Sequence, residues 1–173
     1  MSIRPLIPAL ALAVLAIPAC AQKPAPPRSA DSMAAHDMHH PATNDSGFSA
    51  LQQRGKTAMG VDQYASRHQF EALADGGRIA LQQPGGDSAA VQTIRSHIQD
   101  IARAFSKGDF STPAFVHMTN VPGTAVMAAK KDVIRYEYRL LENGAELRIY
   151  TSDKEALAAI REFMAFQRKD HRT

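Results

Sequence analysis

The most regular pattern of apolar and polar positions runs from Ser88 to Phe105, where Val91, Ile94, Ile98, Ile101 and Phe105 recur at helical spacing. Asp87 or Ser88 is suited to cap the start of this helix, and Gly108 to end it. His97 lies beside the stripe, one turn from both Ile94 and Ile101. The segment from Gly108 to Pro113 is expected to turn the chain, because proline cannot continue a helix, and to bring His117 and Met118 back toward it. Upstream, Phe48, Leu51 and Met59 predict a short helix weakened by Gly55. Val61 to Leu73 reads as extended, with Tyr64, Ser66, His68 and Phe70 on one face. Asp75-Gly76-Gly77 is a hairpin turn, Arg78 to Gln82 the returning strand, and Pro84-Gly85-Gly86 a break before the helix.

The same order recurs downstream. Val133 to Leu141 alternates as a strand, with Ile134, Tyr136, Tyr138 and Leu140 on an apolar face and Val133, Arg135, Glu137 and Arg139 on the other. Glu142-Asn143-Gly144 turns into a second strand, Ala145 to Thr151. Ser152 or Asp153 caps a helix carrying Leu157, Ile160, Phe163, Met164 and Phe166. Ala156-Leu157-Ala-Ala-Ile160-Arg161 aligns without gaps on Ala90-Val91-Gln-Thr-Ile94-Arg95, so the chain reads as two strand–strand–helix repeats. The expected fold is α+β: a four-stranded, mainly antiparallel sheet with helices on one face. The other sheet face is expected to be solvated, covered by the Phe48 helix, or paired in a homodimer. In this alignment His97 takes the place of Phe163, an imidazole where the second unit has a packing residue.

Composition fits one domain with extensions. The chain has 173 residues, 45% hydrophobic and without tryptophan. Its formal charge is +3, less one once the leader bearing Arg4 is removed, which is too weak and too evenly spread for a nucleic-acid partner. Cys20 is the only cysteine, which excludes an internal disulfide and a thiolate metal cluster.

The N-terminus has the form of an export signal over residues 1–21: Arg4, then the apolar run from Leu6 to Ile17, short for a bilayer span. Ala19-Cys20-Ala21 is a signal-peptidase site that leaves Gln22 first. Ile17-Pro18-Ala19-Cys20 is a poor lipobox that would acylate Cys20 and anchor the chain to a membrane. The first reading is preferred, because proline is unusual just before the last small residue of a lipobox. Either implies a periplasmic destination, oxidising in character.

Residues 22–47 are rich in Pro, Ala, Ser and Asp and form a linker that cannot build a core. It contains Met33, His36, Met38, His39 and His40, three of the seven histidines and two of the seven methionines. Imidazole and thioether donors suit copper, methionine favouring the reduced ion. A single α+β domain is expected over 48–173. It holds His68, His97, His117 and His171, each alone an ordinary surface or core histidine. His68 on a strand, His97 on a helix and His117 after a turn are placed to converge as metal ligands, with Met118 as a fourth donor if its segment is irregular. No His-Glu-x-x-His, Gly-x-Ser-x-Gly, phosphate loop or dinucleotide fingerprint is present. Asp109 and Asp170 lie near histidines, but no nucleophile accompanies them.

Several runs carry a family resemblance: Arg54-Gly-Lys-Thr-Ala-Met-Gly-Val-Asp-Gln-Tyr64, His68-x-Phe70, Ile94-Arg95-x-His97, Gly108-Asp109-Phe110, Val116-His117-Met118, Pro122-Gly123 and Phe163-Met-Ala-Phe-Gln-Arg-Lys-Asp-His171. In these the chain resembles a family of small exported proteobacterial proteins of poorly defined function, over about Phe48 to Thr173. Members often bear the automatic label aspartate carbamoyltransferase. A transcarbamylase is built from a pair of α/β domains and a Ser-Thr-Arg-Thr-Arg motif; this chain is long enough for one domain and lacks the motif. The resemblance therefore implies export and the extent of the domain. Two function classes stand: a periplasmic copper-binding protein for buffering, delivery or sensing, and a periplasmic enzyme or small-ligand binder with His/Asp acid–base residues.

Overall fold

The structure, a computed structural model, describes residues 46–173; the leader, Cys20 and the tract containing Met33, His36, Met38, His39 and His40 lie outside the described residues. The elements are α1 (Ser46–Met59), β1 (Arg67–Leu73), β2 (Gly76–Gln82), α2 (Ser88–Ser106), α3 (Ser111–His117), α4 (Thr124–Ala129), a single 3₁₀ turn (Lys131–Val133), β3 (Arg135–Leu141), β4 (Gly144–Tyr150) and α5 (Lys154–His171). The four strands form one antiparallel sheet in the order β1-β2-β4-β3, so the fold is α+β. The strand–strand–helix order occurs twice.

Each long helix starts where a side chain can hold its first free amides. Asp87 Oδ1 accepts from the N–H groups of Ala89 at 2.9 Å and Ala90 at 3.2 Å. Asp153 Oδ1 does the same for Glu155 at 3.0 Å and Ala156 at 2.9 Å. The helices then cross over. α2 packs on β4 and β3, whereas α5 packs on β1 and β2. Two arginines fix this exchange. Arg95 of α2 donates to the carbonyls of Leu141, Glu142 and Gly144 around the β3–β4 turn, and Arg161 of α5 donates to Ala74 O at the β1–β2 turn.

The helical side of the sheet is the core. Phe70, Ile79, Leu81, Ala145, Leu147 and Ile149 meet Ile94, Ile98 and Phe105 from α2, and Ile160, Phe163 and Met164 from α5. α1 packs against α3 and α2 rather than over the opposite sheet face. That face is a charged lattice: Arg78 donates to Glu146 at 2.5 Å and to Glu71 at 3.2 Å, and Arg139 donates to Glu137 at 3.0 Å. Tyr150 lies under the guanidinium groups of Arg135 and Arg148, 4.6 and 4.3 Å from its ring centre. Among the described residues no helix is long and apolar enough to cross a membrane.

Two local expectations are corrected. The extended segment begins at Arg67, not Val61, because the Asp62 carboxylate accepts the Tyr64 N–H at 2.8 Å and folds residues 62–66 into a turn. Tyr64 and Ser66 are therefore not on the strand face shared by His68 and Phe70. Pro113 does not merely close a turn: it sits in the first turn of α3, where its missing N–H has no helical partner to lose.

Ile94 and Ile160 are fully buried on opposite halves of the core. Ile94→Ala and Ile160→Ala are each expected to destabilise by about 2–5 kcal/mol in urea unfolding. A negligible loss at both would contradict this core.

Candidate functional site

All four histidines of the described chain line one cavity of about 90 Å³. His68 comes from the second residue of β1 and shares the core-facing side with Phe70. His97 stands on α2 beside Ile94, Ile98 and Ile101. His117 and His171 are the last residues of α3 and α5. Most of the remaining lining is apolar, including Met59, Phe70 and Phe163, with Gln63 and Gln167 as its amides.

His171 is the central ring. Its centre is 5.4 Å from that of His68 in a stacked pair, 5.2 Å from Phe70, and 5.1 Å from His117 edge-on. Helix α5 places it there: Ile160, Phe163, Met164 and Gln167 are buried along one stripe, and His171 continues it a turn further.

The rings divide into two chemical types. Both nitrogens of His117 are engaged: Nδ1 donates to the Asp170 carboxylate, and Nε2 lies 3.0 Å from Gln167 Oε1. Two acceptors match a ring carrying both protons; with the Gln167 amide turned over, a neutral ring accepts from its NH₂ instead. Among the described residues no hydrogen bond engages the side chains of His68, His97 or His171. Burial pushes the His68 imidazole down to about 4, helped by repulsion from His97. Burial likewise pushes His171 down to about 3, with further lowering by His68 and His117 against the opposing pull of Asp170. His97 is lowered by burial, although Asp100 acts the other way. These three rings are therefore neutral at pH 7.

The sequence expectation placed His68, His97 and His117 together, and all three line the cavity. Met118 does not join them. It is the left-handed cap of α3, with φ of 53°, and is 69% exposed, so its thioether is in solvent. Asp109 is occupied elsewhere, accepting the Ser111 N–H at 2.9 Å. His171, Gln63 and Gln167 are cavity residues missed from sequence. The signal for His171 was the 160–163–164–167–171 spacing, which runs past Phe166. Among the described residues no three His, Cys, Asp or Glu side chains are pre-set around a common ion position.

Comparison with protein-family models, with curated proteins and with solved structures gives no match.

The lowered imidazoles make stability depend on pH in a fixed direction. Below about pH 6.5 the unfolded chain binds protons at His68 and His171 that the native chain refuses until about pH 4 and about pH 3. Their contribution is full above about pH 6.5 and is lost as pH falls, at about 1.4 kcal/mol per pH unit for each ring. Urea unfolding at about pH 7 and about pH 5 is expected to show this loss, and His171→Phe to reduce it. Equal stability at the two pH values would contradict the burial of neutral rings.

Proposed function

We propose that the protein is an exported metal-binding protein that holds copper, best as the reduced ion, on the imidazoles of this cavity. The observation that carries the reading is the trio His68, His97 and His171: neutral rings without hydrogen-bond partners on one largely apolar cavity. A neutral imidazole is a ready donor with no proton to displace. A site built from imidazoles, with apolar walls and no carboxylate among the described residues of its lining, suits a soft ion of low charge. Side-chain rotations are required to converge the rings, since no three are pre-set among the described residues. His117 with Asp170 adds a carboxylate-oriented imidazole at the same wall, the pairing that orients histidine ligands around metals.

Export to the periplasm is supported by the leader reading and by the resemblance to small exported proteins. Met33, His36, Met38, His39 and His40 supply donors of the same softness in the preceding tract. Together they fit a role in copper buffering, delivery or sensing. A second reading, a periplasmic enzyme or small-ligand binder, draws on the His117–Asp170 pair, which has the composition of a general acid–base couple.

Anaerobic Cu(I) titration of the mature chain against a competing chelator tests the proposal. One tight equivalent is expected, retained when residues 22–47 are removed and lost in His171→Phe and His97→Phe with the helical circular dichroism preserved. Release on acidification is expected at a pH well below the ordinary imidazole range, following the lowered rings. Tight copper binding that persists unchanged in both variants, or none in the wild type, would overturn it.

A further inference from the structure

The sheet has two edges, and they are finished differently. Each edge strand leads into a two-residue turn, Ala74-Asp75 after β1 and Glu142-Asn143 after β3. The pair that closes such a turn, Leu73 with Gly76 or Leu141 with Gly144, aims its N–H and C=O groups at the neighbouring strand, and the direction alternates residue by residue from there. On β1 the groups left facing outward belong to His68, Phe70 and Ala72. Helix α5 packs against this strand, and its Arg168 donates to Phe70 O at 3.0 Å. On β3 the outward groups belong to Tyr136, Tyr138 and Leu140. Among the described residues nothing hydrogen-bonds to them, and no strand lies beyond β3. Such an edge is a template for another strand.

The order of residues on β3 selects the strand. In an antiparallel copy paired about Tyr138, the middle residue of β3, the outward groups of Tyr136, Tyr138 and Leu140 bond reciprocally along the whole strand. On the outer face Glu137 then stands opposite Arg139 of the second copy, and Arg139 opposite its Glu137, two cross-strand pairs of opposite charge. Shifting the centre by one residue in either direction sets Glu137 against Glu137 or Arg139 against Arg139. On the helical face Leu140 stands opposite Tyr136. Leu140 is 64% exposed, whereas Ala145 beside it on β4 is fully buried. Next to Tyr136 lies a groove of about 380 Å³ between β3 and α2, where Ala102 and Ser106 leave room for the incoming leucine. We propose that the protein forms a homodimer by joining two β3 edges, so that two four-stranded sheets become one continuous antiparallel sheet. The junction uses no residue of the histidine cavity and does not depend on copper.

Sedimentation velocity of the mature chain over a concentration series, with a metal chelator present, tests the junction. The wild-type mass is expected to converge on that of two chains as concentration rises. Glu137→Arg and Arg139→Glu are each expected to weaken dimerisation tenfold or more, because like charges then meet across the junction. An equimolar mixture of these two variants is expected to regain the dimer, since every arginine at the junction again faces a glutamate. Leu140→Pro removes an outward N–H, leaves the ladder to β4 intact, and is expected to abolish the dimer with the circular dichroism preserved. A wild type that stays monomeric, with or without another strand bound, would overturn the proposal. So would a dimer that survives both charge reversals or Leu140→Pro, or a mixture that fails to recover it.

Discussion

Helix α5 packs closely across β1 and β2 over the bare Gly77, and both the core and the cavity depend on that contact. A Cβ at Gly77 would sit 2.7 Å from Met164 Cε and 3.0 Å from Ile160 Cγ2. With the strand bare at that point, Ile160, Phe163 and Met164 seat fully in the core. The same face of the helix then carries Gln167 and His171 onward over β1, where Arg168 donates to Phe70 O at 3.0 Å. His171 is thereby stacked on His68 and Phe70, with most of its ring out of water. A ring held in this way loses hydration without gaining a hydrogen bond, so its neutral form is enforced by packing.

Charge is distributed to match. The two central strands oppose Arg78 and Arg148 directly, an unfavourable pairing in isolation. Each is answered on the outer face, Arg78 by Glu146 and Glu71, and Arg148 by Asp75 at 2.8 Å. The carboxylates are thus spent on the outer face and at the helix caps. Among the described residues Asp170, its side chain 40% exposed, is the acid that pairs directly with a cavity histidine, His117, while Asp100 acts on His97 only through space. What remains at His68, His97 and His171 is a set of uncharged nitrogen donors in an apolar wall.

Much of the fold was legible because its signals are local. The stripe Val91–Ile94–Ile98–Ile101–Phe105, the caps Asp87 and Asp153, and the glycine-bearing turns each follow from spacing and side-chain chemistry within a few residues. The misplaced start of β1 was a competition between alternation and a single Asp62 hydrogen bond, which the turn won. The crossing of helices onto each other's hairpins was not legible, since it depends on Arg95 and Arg161 reaching carbonyls 46 and 87 residues away in sequence. The site was partly legible. His97 was marked by standing where a phenylalanine packs in the other half. His171 was passed over because a histidine near a chain end resembles a solvated one until the α5 stripe is followed to its last turn. Gln63 carried no sequence signal, as its burial depends on the gap at Gly55.

The cavity rests on neutral imidazoles without hydrogen-bond partners at His68, His97 and His171. Long-range ¹H–¹⁵N correlation spectra of the histidine rings, recorded from about pH 7.5 to about pH 4.5, read protonation and tautomer ring by ring. His68 and His171 are expected to keep the nitrogen shifts of a neutral imidazole down to about pH 5, as rings lowered to about 4 and about 3 do. Titration of both rings near pH 6.5, as for histidines in water, would contradict it.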